Sequence, residues 1–159
     1  MNIKIALTAL LLILPATLPA TAETVDPEAA KMDVYKSPTC GCCKKWISHI
    51  EKAGFAVNPV DHSDLYTLKM NAGIQPEYQS CHTGIIDGYV FEGHVPAKFI
   101  EQFLEQPVEN AIGLSVPAMP VGTPGMEMGD RFMPYDVLVL MKDGSDRVYA
   151  SIKGYNEQF

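Results

Sequence analysis

Apolar residues in the first half of the chain fall at two spacings, one typical of strands and one typical of helices. Trp46, Ile47, Ile50 and Ala53 recur at helical spacing, and Gly54 after them is a natural helix end. Short apolar runs on either side favour strands. The predicted elements are a strand at 32–35, a helix that begins within 40–43, a strand at 55–60, and a helix at 64–72 that Ser63 caps.

A hairpin and a third helix follow. Asp87-Gly88 separates two apolar runs, 82–86 and 89–94, and such a pair is a strong hairpin signal. Pro96 opens the next helix, whose predicted buried stripe consists of Phe99, Ile100, Phe103 and Leu104. The order strand, helix, strand, helix, hairpin, helix predicts a mixed sheet with helices on its faces. It is also the order of the thioredoxin fold.

The last third of the chain is less regular. Residues 117–134 hold four prolines, three glycines and four methionines, a composition that predicts a long ordered loop. Strands at 135–141 and 147–152 form a predicted hairpin. The fold class is therefore α/β, a thioredoxin-like mixed sheet flanked by helices with a C-terminal Met/Pro/Gly-rich loop and β-hairpin. We expect a single metal-binding domain at 32–159, preceded by a flexible lead-in at 23–31.

Residues 1–22 have the layout of a secretory signal peptide. Lys4 supplies one positive charge, 5–14 are uncharged, and Ala20-Thr21-Ala22 offers small residues at a cleavage site. A transmembrane anchor is the competing interpretation, but it needs roughly 20 continuous apolar residues and two prolines interrupt this run. We expect export to the periplasm, cleavage near Ala22 and no stable membrane insertion afterwards.

The charge balance narrows the range of partners. Because Lys4 leaves with the signal peptide, the mature chain has 19 acidic and 11 basic side chains. No basic stripe remains, which argues against a nucleic-acid partner. The acidic balance favours the approach of cations. The chain contains no Gly-rich phosphate loop, serine nucleophile elbow or His-Glu-x-x-His pattern, so none of the corresponding activities is indicated.

All four cysteines lie in the predicted mature chain, at Cys40, Cys42, Cys43 and Cys81. In an oxidising compartment an even count normally indicates two structural disulfides. Three of these cysteines fall within four residues, and adjacent or one-apart cysteines seldom reach the Cα separation of about 4.4–6.8 Å that a relaxed disulfide needs. Clustering favours redox exchange or metal ligation, although a single structural bridge from the cluster to Cys81 stays open.

Cys40 and Cys43 form a Cys-x-x-Cys pair at the predicted start of a helix. Helix amides, with Lys44 and Lys45, stabilise a thiolate there, and a thiolate can attack a disulfide or bind a metal. Cys42 favours the metal, because a third thiolate would scramble an exchange pair but adds a soft ligand to a metal site. Three thiolates on one turn favour bridging sulfurs and more than one metal atom.

In a thioredoxin-like fold, Cys81 enters the first hairpin strand against the helix start. We therefore expect it to face Cys40, at the position where thioredoxins usually carry a cis-proline, and a ligand-type residue there again favours metal. His82 follows it on the strand, as either a residue supporting the site or a surface residue. The other histidines are weaker candidates for a functional role. His49 is expected at the surface, His62 near a helix cap, and His94 at the hairpin end.

The methionines of the loop are Met119, Met126, Met128 and Met133. A single methionine usually fills a gap under a loop. Four of them outside any helix or strand period are harder to assign to the core, and thioether donors prefer Cu(I) to Zn(II). Met126 and Met119 are our candidate ligands beside the cysteines.

Four segments together resemble the CopG family of periplasmic copper-resistance proteins, long described as a domain of unknown function. They are Ser-Pro-Thr-Cys-Gly-Cys-Cys at 37–43, Ser-Cys-His-Thr-Gly at 80–84, Gly-His-Val-Pro at 93–96 and the methionine segment 119–127. The resemblance runs from about residue 32 to the C-terminus. It implies a thioredoxin-like core, copper bound through Cys40, Cys42, Cys43 and Cys81, and a role in copper tolerance.

Three hypotheses stay open at this point. The first is a periplasmic protein that binds copper, preferably Cu(I), either with Cu(I)/Cu(II) turnover or without it, and has other periplasmic copper-handling proteins as candidate partners. The second is a thiol–disulfide oxidoreductase, favoured by the Cys-x-x-Cys pair and weakened by Cys42. The third is a structural zinc module, favoured if four thiolates close a tetrahedral site.

Overall fold

The computed structural model describes residues 31–159. The predicted signal peptide at 1–22 and the predicted lead-in, apart from Lys31, lie outside the described residues. Within 31–159 the strands form one mixed sheet in the order β2-β1-β3-β4-β5-β6-β7. In chain order the elements are β1 (Met32–Lys36), α1 (Gly41–Lys52), β2 (Val57–Asp61), α2 (Leu65–Asn71), β3 (His82–Ile86), β4 (Tyr89–Gly93), α3 (Ala97–Glu105), β5 (Ala111–Val116), β6 (Tyr135–Met141) and β7 (Asp146–Ile152).

The predicted mixed sheet with flanking helices is confirmed, and so are the Met/Pro/Gly-rich loop and the C-terminal hairpin. β1 runs parallel to β2 and antiparallel to β3, and β3 and β4 form the hairpin around Asp87-Gly88. The prediction missed β5, which runs parallel to β4 and joins the C-terminal hairpin to the sheet. Gly113 and Ser115 interrupt its apolar pattern, and a parallel partner reached through a helix leaves no local turn signal.

Two details at helix ends correct the sequence analysis. Ala53 is exposed and is the C-cap of α1, whereas Trp46, Ile47 and Ile50 are buried as predicted. The N-cap of α2 is Asp64, whose side chain accepts from Thr67 N, so Ser63 is not the cap. The imidazole of His62 accepts from Asp64 N beside that cap, as expected.

Helices cover both faces of the sheet. The larger apolar cluster joins α1 and α3 to one face and includes Trp46, Phe91 and Phe103. A smaller cluster of Ile74, Val90 and Leu140 lies on the opposite face, because Val90 is adjacent to Phe91 on a strand and its side chain points the other way. Among residues 31–159, no helix has the length and apolar character needed to cross a membrane.

Candidate metal centre

The start of α1 carries three of the four cysteines. Cys40 is the N-cap, and its sulfur accepts from Cys43 N at 3.3 Å. Cys40 and Cys43 are joined by a disulfide with a Cα–Cα separation of 5.4 Å, while Cys42 and Cys81 are free. The bridge from the cluster to Cys81 that the sequence left open is therefore not the pairing observed.

Cys81 faces this turn from the entry of β3, as predicted. Its Sγ lies 3.9 Å from Cys42 Sγ, and Cys42 Sγ lies 3.6 Å from Cys40 Sγ. The four sulfurs all fall within 4.8 Å of one another. Sulfurs at this spacing can share one ion or bridge several, provided that the disulfide is reduced and the thiols lose their protons.

Two buried histidines extend the cluster beyond sulfur. His82 Nδ1 and His94 Nε2 each lie 3.2 Å from Cys81 Sγ, and both side chains are fully buried. The surface interpretation of His82 is therefore wrong, because its ring lies under Trp46 with the ring centroids 4.3 Å apart. Cys81, His82 and His94 form a second group of potential ligands that shares Cys81 with the first.

Sequence reasoning overlooked His94 although the predicted hairpin contained the signal. The register of β3 and β4 pairs Thr83 with Glu92. In an antiparallel pair each step back on one strand is a step forward on the other. The residue opposite Cys81 is therefore His94, and the position of the Asp-Gly turn alone was enough to place the two side by side.

Hydrogen bonding fixes the orientation of the His94 ring. Its Nδ1 lies 2.7 Å from the carbonyl oxygen of Pro124. A carbonyl only accepts, so Nδ1 carries the proton and Nε2 directs its lone pair at Cys81. Burial also lowers the pKa of His94 and keeps the ring neutral. This is how metal-ligating histidines are usually held, with the far nitrogen donating to a carbonyl.

Burial favours the uncharged forms of His82 and Cys81, so the imidazole can bind a soft cation directly whereas the thiol must first lose its proton. Burial, followed by the neighbouring His94, lowers the pKa of His82 well below its usual value. Among residues 31–159, the buried His82 Nε2 has no hydrogen-bond partner, which is uncommon for an imidazole. Burial, and then Cys42, raises the pKa of Cys81 to about 12. Without a metal Cys81 is a thiol, so metal binding at its sulfur must release a proton.

A buried ion pair fixes the backbone just before Cys81. Lys69 Nζ lies 2.5 Å from Glu92 Oε1, and both side chains are almost wholly buried. The same carboxylate accepts from Ser80 N at 2.6 Å and from Thr83 Oγ1 at 2.6 Å. Burial raises the pKa of Glu92, and the Lys69 ammonium opposes that shift. These hydrogen bonds hold the chain on both sides of Cys81 against β4.

The two candidate methionines lie on a loop whose backbone approaches the cysteines from two sides. Gly125, next to Met126, packs so closely on α1 that a Cβ there would lie 2.7 Å from Trp46 N. Met119 is about half exposed and follows Ala118, whose amide donates to the carbonyl of Gln79. Ligation by either thioether stays a prediction.

His49 has a structural role that the sequence did not suggest. The ring is partly buried, and its Nε2 accepts from Ala97 N at 3.1 Å, the first residue of α3. The predicted surface position is therefore wrong. No contact of His49 with the cysteine cluster is recorded among the described residues, and it caps a helix instead.

The chain is similar to known proteins in sequence and in fold. A family model described as a protein of unknown function, DUF411, matches residues 78–126, which include Cys81, both buried histidines and the first part of the methionine loop. No curated protein matched. A solved structure named "Copper resistance protein copG- Form 1" is 44% identical, with 78% of this chain and 98% of that chain covered and a TM-score of 0.74. Its Form 2 is 42% identical, with 79% and 99% covered and the same TM-score.

Proposed function

Since this chain belongs to the family of the copper resistance protein CopG, we propose that it binds Cu(I) in its cysteine cluster and contributes to copper resistance after export to the periplasm. The relatives and the cluster together support a copper-related role. The observation that carries the proposal is the convergence of four sulfurs within 4.8 Å, with two buried imidazoles on one of them.

The chemistry of the donors favours copper over harder ions. Thiolates and neutral imidazoles bind Cu(I) tightly, and carboxylates, the usual ligands of magnesium and calcium, are absent from both ligand groups of residues 31–159. Three cysteines lie on one turn, so bridging sulfurs and more than one copper ion fit the arrangement better than one closed tetrahedron. Met126 and Met119 are proposed as additional thioether donors from the neighbouring loop.

The Cys40–Cys43 pair gives the site a redox function as well. Two thiolates can each give one electron to a Cu(II) ion, so that two Cu(II) become two Cu(I) and the sulfurs join as a disulfide. Cys42, Cys81 and the histidines would then hold the Cu(I) produced. Reduction of the disulfide by an external dithiol would restore all four sulfurs and complete a cycle.

Competition for metal tests the binding proposal directly. Reduced protein, kept free of oxygen, should withdraw Cu(I) from a strong Cu(I) chelator and retain it in the presence of excess Zn(II). Cys42→Ser should lower the copper stoichiometry or affinity about as much as Cys40→Ser, because both sulfurs are ligands. Ser48→Ala, an exposed change further along the same helix, is the matched control and should leave both values unchanged. Displacement of copper by an equal concentration of zinc would instead support the structural zinc module.

A thiol–disulfide oxidoreductase is the second candidate, and the Cys40–Cys43 disulfide at a helix start is the observation in its favour. Here Cys40 would be the attacking thiolate and Cys43 the resolving one. Cys42→Ser would leave disulfide reduction intact, and Cys43→Ser would abolish it. A Cys42→Ser protein with full copper loading, combined with a Cys43→Ser protein unable to reduce insulin, would replace the copper proposal with this one.

A further inference from the structure

The C-terminal residues fold back over the methionine loop and place one amide side chain in the interior. Tyr155–Gln158 form a 3₁₀ turn, and the Gln158 side chain is fully buried. Its Nε2 donates to Gly122 O at 2.9 Å, and its Oε1 accepts from Tyr135 OH at 2.8 Å. One side chain thus ties the end of the chain to β6 and to the loop.

The segment that Gln158 holds is a tight turn with Pro124 near its tip. Gly122 N donates to Met126 O at 3.0 Å, and Met126 N donates to Thr123 O at 2.8 Å. Residues 122–125 are all buried. Because Gly122 and Pro124 are two residues apart in a hydrogen-bonded turn, fixing the Gly122 carbonyl also fixes the Pro124 carbonyl.

The Pro124 carbonyl is the group that orients His94. It accepts from Nδ1, which leaves Nε2 facing Cys81 Sγ at 3.2 Å. A connected path of hydrogen bonds and a short stretch of chain therefore runs from the second-last residue, Gln158, to the candidate metal centre.

We propose that Gln158 is a positioning residue for the metal centre, which fixes the tautomer and direction of His94 through the turn at 122–126. The part of this inference that concerns metal affinity rests on the proposed function. The hydrogen bonds of the Gln158 side chain go to Gly122 and Tyr135, so its effect on His94 is indirect. Groups that orient a metal-ligating histidine typically change metal affinity by 10- to 100-fold when removed. Since Gln158 acts on His94 only through the turn, we expect its removal to lower Cu(I) affinity by roughly 10-fold, at the lower end of that range.

The test compares two substitutions that differ in whether the bond to Gly122 is lost. Gln158→Leu removes the amide and both of its hydrogen bonds, whereas Tyr135→Phe removes only the bond to Gln158 Oε1 and keeps the bond to Gly122. In metal-free, reduced protein, nitrogen NMR of the imidazoles should place the His94 proton on Nδ1 in the wild type and in Tyr135→Phe. In Gln158→Leu the His94 signals should become those of mixed tautomers, and Cu(I) affinity should fall roughly 10-fold.

The two readouts separate this inference from the proposed function. An unchanged His94 tautomer in folded Gln158→Leu, or the same change in Tyr135→Phe, would overturn the positioning role. A changed His94 tautomer with unaltered Cu(I) affinity would overturn the claim that Gln158 influences metal binding. Failure of the wild type to bind Cu(I) would count against the proposed function and not against the tautomer result. If Gln158→Leu does not fold, Gln158→Met carries the same test, because its side chain is of similar length and cannot donate to Gly122.

Discussion

Replacing Lys69 by methionine should destabilise the metal-free protein strongly, because it leaves a buried carboxylate without its counter-ion. Glu92 is fully buried, and Lys69 is 3% exposed. Methionine fills most of the volume of the lysine stem, so the change removes the charge with little cavity. The remaining donors to the carboxylate are Ser80 N and Thr83 Oγ1, both neutral.

The size of the effect follows from this burial. Breaking a buried pair by removing one partner typically costs about 3–5 kcal/mol. At roughly 2–4 °C per kcal/mol for a chain of this size, the melting temperature should fall by roughly 6–20 °C. The ion pair of Lys36 and Asp61 is the matched control, because Asp61 is 57% exposed and can be hydrated when its partner is lost. Lys36→Met should therefore cost about 1 kcal/mol or less.

Urea denaturation of both variants measures the difference. The pH dependence adds a second check on the metal-free protein. Burial raises the pKa of Glu92 above 4.5 in the folded state, and loss of Lys69 raises it further. The folded Lys69→Met protein then binds a proton more readily than the unfolded chain, so its stability should fall as the pH rises from about 4.5 and recover on acidification. A Lys69→Met deficit within about 1 kcal/mol of the Lys36→Met deficit would refute the argument.

Three further predictions concern the centre itself. Gly93→Ala should lower the free energy of unfolding by about 1–3 kcal/mol and weaken copper binding, because Gly93 has φ 72° and a Cβ there would lie 2.6 Å from Ser80 Cβ. Thermal unfolding and chelator competition measure the two effects. Trp46, the sole tryptophan, has its ring 4.3 Å from that of His82, so its fluorescence should be quenched stoichiometrically by copper; unquenched emission at full loading would place the metal elsewhere. Cys42 should resist alkylation in copper-loaded protein and react in metal-free protein, as mass spectrometry of the modified peptide would show.

Local patterns predicted most of the elements, whereas contacts between distant segments escaped the sequence. The Asp87-Gly88 turn and the helical spacing of Trp46, Ile47 and Ile50 are short-range signals, and both predictions are confirmed. β5 was missed because its partner β4 is reached through a helix. With β5 in place, the sheet continues from the predicted core to the C-terminal hairpin.

The candidate site divides in the same way. The approach of Cys81 to the α1 cysteines was predictable from topology, and the position of His94 was available from the hairpin register. The burial of the Lys69–Glu92 pair and the reach of Gln158 to Gly122 depend on packing across many residues. Neither leaves a periodic signal, because a single buried polar residue resembles a surface one in the sequence.

X-ray absorption at the copper edge of protein loaded with Cu(I) under reducing, oxygen-free conditions tests the central claim most directly. Our account predicts an edge typical of Cu(I) and a first shell dominated by sulfur, with a smaller nitrogen contribution that decreases in His94→Ala. Cys81→Ser should lose both sulfur and nitrogen scattering, since this residue joins the two ligand groups. A first shell of oxygen and nitrogen alone, unchanged when Cys42 and Cys81 are replaced by serine, would contradict the proposal that the cysteine cluster holds the copper.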